Sequence, residues 1–300
     1  MSKNLIYHIM LIVITAFWGL AFPIMKTGVT TINAGTFLGL RFMLAALVLM
    51  LIFGKRIIAN FRKEMLKPVF LVSASLFIDY YCYSMGLKTT TSINCSFYAG
   101  IAAIFVPFLM FIFYKKSLKD QNWLPIISIF LGIYLLSSDS GQITFLIGDI
   151  FCLCSSFFFA IYIILSSKNV KQYDPITVSV LQMTMVGVMS ILSSFVIEGV
   201  PSISQFTSDT LISLVFLGIF TTALPFTIQH WVQPKVSALS AAITYSAMPL
   251  FGTIFSIILL HETIGMRGIS GGILIVISIA LTEIFNNKKK KSALQETSKI

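Results

Sequence analysis

Asp79 lies about 12 residues into the apolar run 67–87, or about 18 Å along a helix, close to its middle. Ser75, Asp79, Tyr83 and Gly86 share one helical face. A carboxylate turned toward lipid is costly, so this face is expected to meet a cavity or a partner. There it can hold a substrate ammonium or carry a coupling proton. The competing chemistry is an ion pair with Arg41 or Lys26, which would make Asp79 structural.

Arg41 sits about a turn and a half inside the second apolar run. Its planar fork suits a substrate carboxylate and equally a structural or gating ion pair. Lys26, at the end of the first run, is placed to snorkel outward. Gln182 and Gln229 either orient a polar substrate or bond a neighbouring helix. Aromatic faces attract cations, and Trp18, Phe22, Tyr80, Tyr83, Tyr98, Tyr162 and Tyr245 all stand within apolar runs. Tyr245 shares a small and polar stripe with Ser237, Ser240, Ala241, Thr244 and Met248. With Asn94, these residues give the candidate substrate or proton site: Asp79, Tyr83, Ser75, Arg41, Trp18, Asn94, Tyr98, Gln182, Gln229, Ser240, Thr244 and Tyr245. Pro23, Pro107, Pro225 and Pro249 each remove a backbone donor inside a run and are candidate hinges or kinks. His261-Glu262 lacks the second histidine of a zinc-protease helix and is expected to cap the end of the ninth helix. No phosphate-binding glycine loop or nucleophile–base arrangement is legible, so neither an enzyme nor a cofactor or metal site is expected.

Ten apolar stretches must position these residues: 5–26, 34–54, 67–87, 92–114, 121–138, 144–167, 176–197, 209–232, 237–260 and 267–286. A bilayer core needs about 20 apolar residues per helix. The chain is 57% hydrophobic and 11% charged, against roughly 25% charged in a soluble domain. Lipid is therefore the solvent for most of it, and membrane lipids are its surroundings. The first run is too long for a signal peptide and is read as a retained helix. The four cysteines, Cys82, Cys95, Cys152 and Cys154, lie in or beside apolar runs without a CxxC pair, as small packing residues rather than disulfides or zinc ligands. Gly35-x-x-x-Gly39 and Gly268-x-x-x-Gly272 permit close helix approach, the latter within a monomer or in a homodimer.

The net charge of +10 does not form a nucleic-acid patch, because the basic residues sit between the spans. With the amino terminus inside, 17 Lys and Arg fall on inside segments and three outside, with Arg41 in a span. The positive-inside rule then puts both termini in the cytoplasm of a multi-pass protein of the cell membrane, plasma or inner. The Lys288–Lys291 run belongs to this signal.

The second five stretches echo the first five. A shift of 141 residues sets Trp18-Gly19 on Phe159-Ala160, Thr36 on Thr177 and Arg41 on Gln182. A shift of 146 sets Thr91 on Ser237, Asn94 on Ser240 and Gly132 on Ser278. Five helices are an odd number, so the second half enters from the opposite side. The expected fold is an all-α integral membrane protein of ten transmembrane helices, arranged as two five-helix inverted repeats. Such repeats bind their substrates at the interface near midplane. The expected units are 1–138, 139–286 and a basic cytoplasmic tail, 287–300.

Several motifs carry a resemblance. The first run reads Ala16-Phe17-Trp18-Gly19-Leu20-Ala21-Phe22 with Lys26 a turn on; the second reads Arg41-Phe42 and then Leu44-Ala45-Ala46. Gly86-Leu87-Lys88-Thr89-Thr90-Thr91-Ser92, Phe105-Val106-Pro107-Phe108, Gly148-Asp149, Tyr173-Asp174-Pro175, Thr222-Ala223-Leu224 and Met248-Pro249-Leu250-Phe251 follow in order. Across about residues 5–285 the chain resembles the EamA-type permeases of the drug/metabolite transporter superfamily. That resemblance implies a ten-helix fold with a central cavity, and secondary export or exchange of small polar metabolites such as amino acids or amines. Related sequences often carry Lys near position 94 and a small residue at 79, where this chain has Asn94 and Asp79. The implied partners are a small-molecule substrate and, as a candidate coupling ion, the proton. A nucleotide-sugar or organophosphate carrier is the alternative within transport, and an intramembrane enzyme or lipid-handling protein the alternative outside it.

The lysine distribution makes a direct prediction. A cysteine at Ser202, in a background lacking the native cysteines, is expected to react with an impermeant thiol reagent added outside intact cells. Labelling at Ser292 instead would reverse the orientation.

Overall fold

The computed structural model describes residues 3–115, 123–137, 146–275, 277, 278 and 281. The expected boundary at 138/139 and the Lys288–Lys291 run lie outside them. The described chain is helical: α1 Lys3–Thr31, α2 Ala34–Asn60, α3 Leu66–Thr89, α4 Ser92–Tyr114, α5 Trp123–Ser137, α6 Ile147–Lys168, α7 Pro175–Glu198, α8 Ser208–Lys235, α9 Ala238–Leu260 and α10 Met266–Ile275. Among the described residues eight of these are long and apolar enough to cross a membrane. The shorter α5 and α10 complete the ten. Below, the near end of the bundle is the one where α1 begins; the far end is where it finishes.

Hydropathy makes the helices, and small polar residues stop them. Thr91, Asp174, Thr207 and Ser237 accept the free amides that open α4, α7, α8 and α9. A cap of this kind is worth about 1 kcal/mol in water.

The two halves repeat each other in these details. The N-caps Asn33 and Asp174 stand 141 positions apart, and Thr91 and Ser237 stand 146 apart. Helix α4 is broken at Ile101 and α9 at Ser246-Ala247. Both end in a left-handed residue, Lys115 with φ 50° and His261 with φ 54°, again 146 apart. They are the only non-glycine residues of positive φ among those described. An L side chain in that region costs roughly 1–2 kcal/mol, so its double occurrence marks a shared helix stop.

The core lies between the halves. Antiparallel α2 and α7 meet where Gly35 abuts Ser190 and Ser194 and Gly39 abuts Gly187 and Ile191, leaving no room for a Cβ at either glycine. Both ends of this pair are pinned. Arg56 near the end of α2 donates to the Asp174 carboxylate at the start of α7, at 2.6 and 3.0 Å. Glu198 at the end of α7 accepts from the Ala34 and Gly35 amides at the start of α2, at 3.1 and 2.7 Å, and pairs with Lys88 at 2.8 Å. Each helix thus sends a side chain from its last turns to its partner's N-terminus. Helices α3 and α6 pack through Gly86 against Gly148 and Cys152. In α5, Gly132 lies against Gly271 and Ile275 of α10. The outside is apolar, with Leu51, Phe111, Val196 and Ile258 exposed, and the mainly apolar core also buries polar groups, Arg41, Asp79, Gln182, Gln229 and Gln233 among them.

Partial burial pushes the Asp174 carboxyl up, but the hydrogen bonds from Arg56 and from the Thr177 amide and hydroxyl outweigh it and hold the group below the usual carboxylate range. A depressed pKa stabilises the fold above the unfolded value, and that contribution disappears as pH falls through the folded one. The melting temperature of the wild type is therefore expected to drop between about pH 5 and pH 3, and the drop should be smaller in Asp174→Asn. Identical profiles would show that this contact does not hold the near end together.

Candidate functional site

A cavity opens at the middle of the bundle. Helix α1 gives it Trp18, Ala21 and Phe22, and α3 gives Asp79, Tyr80 and Tyr83. Cys95 and Ala99 come from α4, Ser155 and Phe159 from α6, Phe226 from α8 and Met248 from α9. The irregular backbone of α4 and α9 lies beside it, at Ile101 and Ser246-Ala247. Such backbone is tolerated at membrane depth where it is buried in protein or lines a cavity. The break in α4 falls six residues before Pro107, and the break in α9 just before Pro249. In α8 the segment Leu217–Ala223 is wound as a π-helix and Pro225 follows it, whereas α1 runs through Pro23 unbroken.

The cavity sits on the relation between the halves. Trp18 and Phe159 are equivalent under the 141 shift, and Tyr80 and Phe226 under the 146 shift. Both pairs line the cavity, and both are in ring contact, with centroids 6.2 Å apart in each. Tyr83 closes the ring set, 5.2 Å from Phe22 and 5.8 Å from Tyr80. The polar groups break this symmetry. The equivalent of Asp79 is Pro225, and that of Ser155 is Ile14.

Asp79 is 6% exposed, and its Oδ1 accepts from Ser155 Oγ at 2.5 Å, a bond from the first half to the second. Among the described residues no cation pairs with it. Lys26 donates to the Thr90 carbonyl at 3.0 Å and lies 3.8 Å from Glu262. Arg41 is fully buried and turned to α8. Its Nε donates to Thr222 Oγ1 at 2.7 Å and its Nη2 to Thr221 Oγ1 at 2.9 Å. Both hydroxyls donate onward to the Leu217 carbonyl, at 2.9 Å each. Their lone pairs are thereby left for the guanidinium, and the π-turn is what brings two consecutive threonines to one carbonyl. The guanidinium carbon lies 5.2 Å from the Tyr80 ring centre. The competing ion pair of Asp79 with Arg41 or Lys26 is absent among the described residues, where each cation has its own oxygen acceptors. Two further donors of the wall, Trp18 Nε1 and Tyr83 OH, are buried with no hydrogen-bond partner among the described residues.

The remaining candidates lie off the cavity. Ser75 donates to Val72 O within its own helix. Asn94 and Tyr98 are half-buried on α4. Toward the near end, Tyr162 donates to Gln229, Gln229 to Gln233, and Tyr245 to Gln233, at 2.6, 2.6 and 2.9 Å; Gln233 donates to the Ile163 carbonyl at 2.7 Å. Gln182 bonds His230 at 2.9 Å. Ser240 and Thr244 bond His8 at 3.3 and 3.1 Å. Toward the far end, His261 caps the end of α9 as expected, its amide on the Ser256 carbonyl, and the Glu262 carboxylate accepts from the Ser92 and Ile93 amides and so caps α4 as well. There Thr90 donates to Asp149 at 2.9 Å. The cysteines form two thiol pairs between α6 and the first half, Cys82 with Cys154 at 3.5 Å and Cys95 with Cys152 at 2.9 Å. Sequence reasoning missed Ser155, Gln233 and His8. Ser155-Ser156 in an apolar run gives no distinct signal, since such serines mostly bond their own helix.

The model of the EamA-like transporter family matches residues 5–138 and 146–284. Among curated proteins, an uncharacterized transporter of Bacillus subtilis, YoaV, is 25% identical, the alignment covering 93% of this chain and 97% of the relative. An uncharacterized transporter of Archaeoglobus fulgidus is 23% identical, over 94% and 87%. A solved crystal structure matches in fold with a TM-score of 0.72 at 15% identity, covering 95% of this chain and 97% of its own.

The Arg41 contacts give a stability prediction. Thr222→Val removes the acceptor of a buried charged donor and is expected to cost about 1–3 kcal/mol, read as a lower melting temperature in detergent. Thr222→Ser keeps the oxygen and should restore most of it. An unchanged melting temperature in Thr222→Val would mean that Thr221 alone suffices.

Proposed function

The chain belongs to the EamA-like transporter family of the drug/metabolite transporter superfamily and is a multi-pass membrane transporter; from that premise we propose that it exports or exchanges small polar metabolites, amino acids or amines, by alternating access. Asp79 carries this reading. It is a carboxylate at the centre of the bundle, lining a cavity between the halves, held by a serine and by no cation among the described residues. A carboxylate in that position is free to bind an ammonium group or take up a coupling proton. The moving units in this mechanism are residues 1–138 and 139–286, with the near end and the tail in the cytoplasm. The protein works in the cell membrane as a monomer or homodimer, without catalysis.

Polar contacts between the halves flank the cavity toward each end. At the near end His8 of α1 reaches across to Ser240 and Thr244 of α9, and Arg56 of α2 to Asp174 of α7, while the Tyr162–Gln233 network lies within the second half. At the far end Thr90 reaches Asp149, and Lys26, Ser92 and Ile93 reach Glu262. Alternating access requires these two sets to open in turn. A phosphate-bearing substrate would need cations on the wall, and Arg41 is committed to Thr221 and Thr222.

The test is solute flux into proteoliposomes together with the melting temperature, both on Asp79→Asn. The asparagine oxygen can still accept from Ser155, so the fold should survive while flux falls at least about tenfold, the loss of one charge-assisted contact. Flux equal to wild type would remove Asp79 from the mechanism. Lost flux with a collapse in melting temperature would make it structural. Residual flux that no longer responds to a pH gradient would assign it the coupling proton.

A further inference from the structure

We infer that the cavity selects monovalent organic cations, protonated amines on an apolar body, over zwitterionic amino acids and anions. This rests on taking the central cavity as the substrate site, and it names the class of substrate that site takes. Asp79 supplies a carboxylate, and the lining contains no Lys, Arg or His. A bound amine gives a neutral cavity when Asp79 is ionised. A bound amino acid leaves one uncompensated negative charge in it, and a carboxylic acid anion leaves two.

A zwitterion would need a cation for its carboxylate, and the nearby cations are engaged elsewhere. Arg41 is bound to Thr221 and Thr222, and its Nη1 lies 3.6 Å from Met25 Sδ. Tyr80, not Arg41, forms the wall on that side, and the guanidinium lies against the Tyr80 ring. Lys26 is held at the far end by the Thr90 carbonyl and Glu262. His230 bonds Gln182 and does not line the cavity. The walls favour the same class. Trp18, Phe22, Tyr80, Tyr83, Phe159 and Phe226 surround the space, and aromatic faces attract desolvated cations. The unpartnered Trp18 Nε1 and Tyr83 OH are neutral donors. They suit a neutral acceptor on the ligand, such as a hydroxyl or carbonyl oxygen. Two neutral donors do not offset a buried carboxylate that also faces Asp79.

The experiment compares three probes of one shape and different charge on the purified protein in detergent near pH 7: 2-phenylethylamine, phenylalanine and 3-phenylpropionate. Calorimetry or ligand-induced thermal shift reads the affinities. The amine is expected to bind at least about 10-fold more tightly than phenylalanine, with 3-phenylpropionate weakest, the ranking that one misplaced charge imposes in a partly desolvated site. Asp79→Asn should reduce amine binding at least about 10-fold. Ser155→Ala, which keeps the charge, should retain the order. Phenylalanine binding as tightly as the amine, or no binding by any of the three, overturns the proposal, as does amine binding that Asp79→Asn leaves unchanged. Failure of the transport reading is separable. Amine binding without flux in liposomes would sink transport and leave the selectivity standing. Flux of amino acids without amine preference would do the reverse.

Discussion

Inside a bilayer every polar group must find its partner within the protein, because no water remains to replace a missing one. That constraint organises this bundle. Helix starts are capped by Thr91, Asp174, Thr207 and Ser237 or by carboxylates borrowed from elsewhere, Glu198 for α2 and Glu262 for α4. Borrowing a cap from another helix joins elements as well as ending them. Glu198 ties α7 to α2 and α3, and Glu262 ties the end of α9 to α4 and α1. Arg41 obeys the same rule from the opposite charge. A buried guanidinium with no carboxylate beside it is held because the π-turn of α8 offers two oxygens whose protons already point at Leu217.

Much of the fold was legible because lipid simplifies the code. Ten apolar runs give ten helices, with boundaries good to a few residues among the described residues except where a helix extends past its apolar part, as α1 does to Thr31 and α2 to Asn60; the expected end of the tenth run lies outside them. The repeat was legible as weak matches at shifts of 141 and 146, and it returns in the structure as N-caps, helix breaks and two left-handed residues at the same shifts. Those backbone features repeat more faithfully than the side chains because they are set by geometry that many residues satisfy.

The site was legible only in part. A lone carboxylate in mid-span announces itself by its cost, so Asp79 could be singled out. Ser155 could not, since a serine in an apolar helix most often bonds its own backbone, as Ser75 and Ser73 do here. The sequence offered Arg41 and Lys26 as partners for Asp79 because they are the obvious opposite charges. It does not encode that a π-turn will hold two threonines at the right place for Arg41. The cysteines read as small packing residues, and nothing local distinguishes that role from two facing thiol pairs between α6 and helices α3 and α4.

The symmetry of the cavity and the asymmetry of its charge have different consequences. In alternating access between repeats, the two states are related by exchanging the conformations of the halves. Trp18 then exchanges surroundings with Phe159, and Tyr80 with Phe226, so the aromatic environment of a ligand changes little and cannot by itself favour one state. A ligand shifts such an equilibrium only by its differential affinity. That difference must come from groups without an equivalent: Asp79 where the other half has Pro225, Ser155 where it has Ile14, and Arg41 where it has Gln182. The bond from Ser155 to Asp79 crosses from one half to the other at the cavity wall. On the proposed mechanism, an ammonium or proton taken up by Asp79 neutralises it and removes the charge assistance of the Ser155 bond, a contact between the moving parts. Binding is then coupled to their movement through the charge of one carboxylate rather than through the shape of the cage.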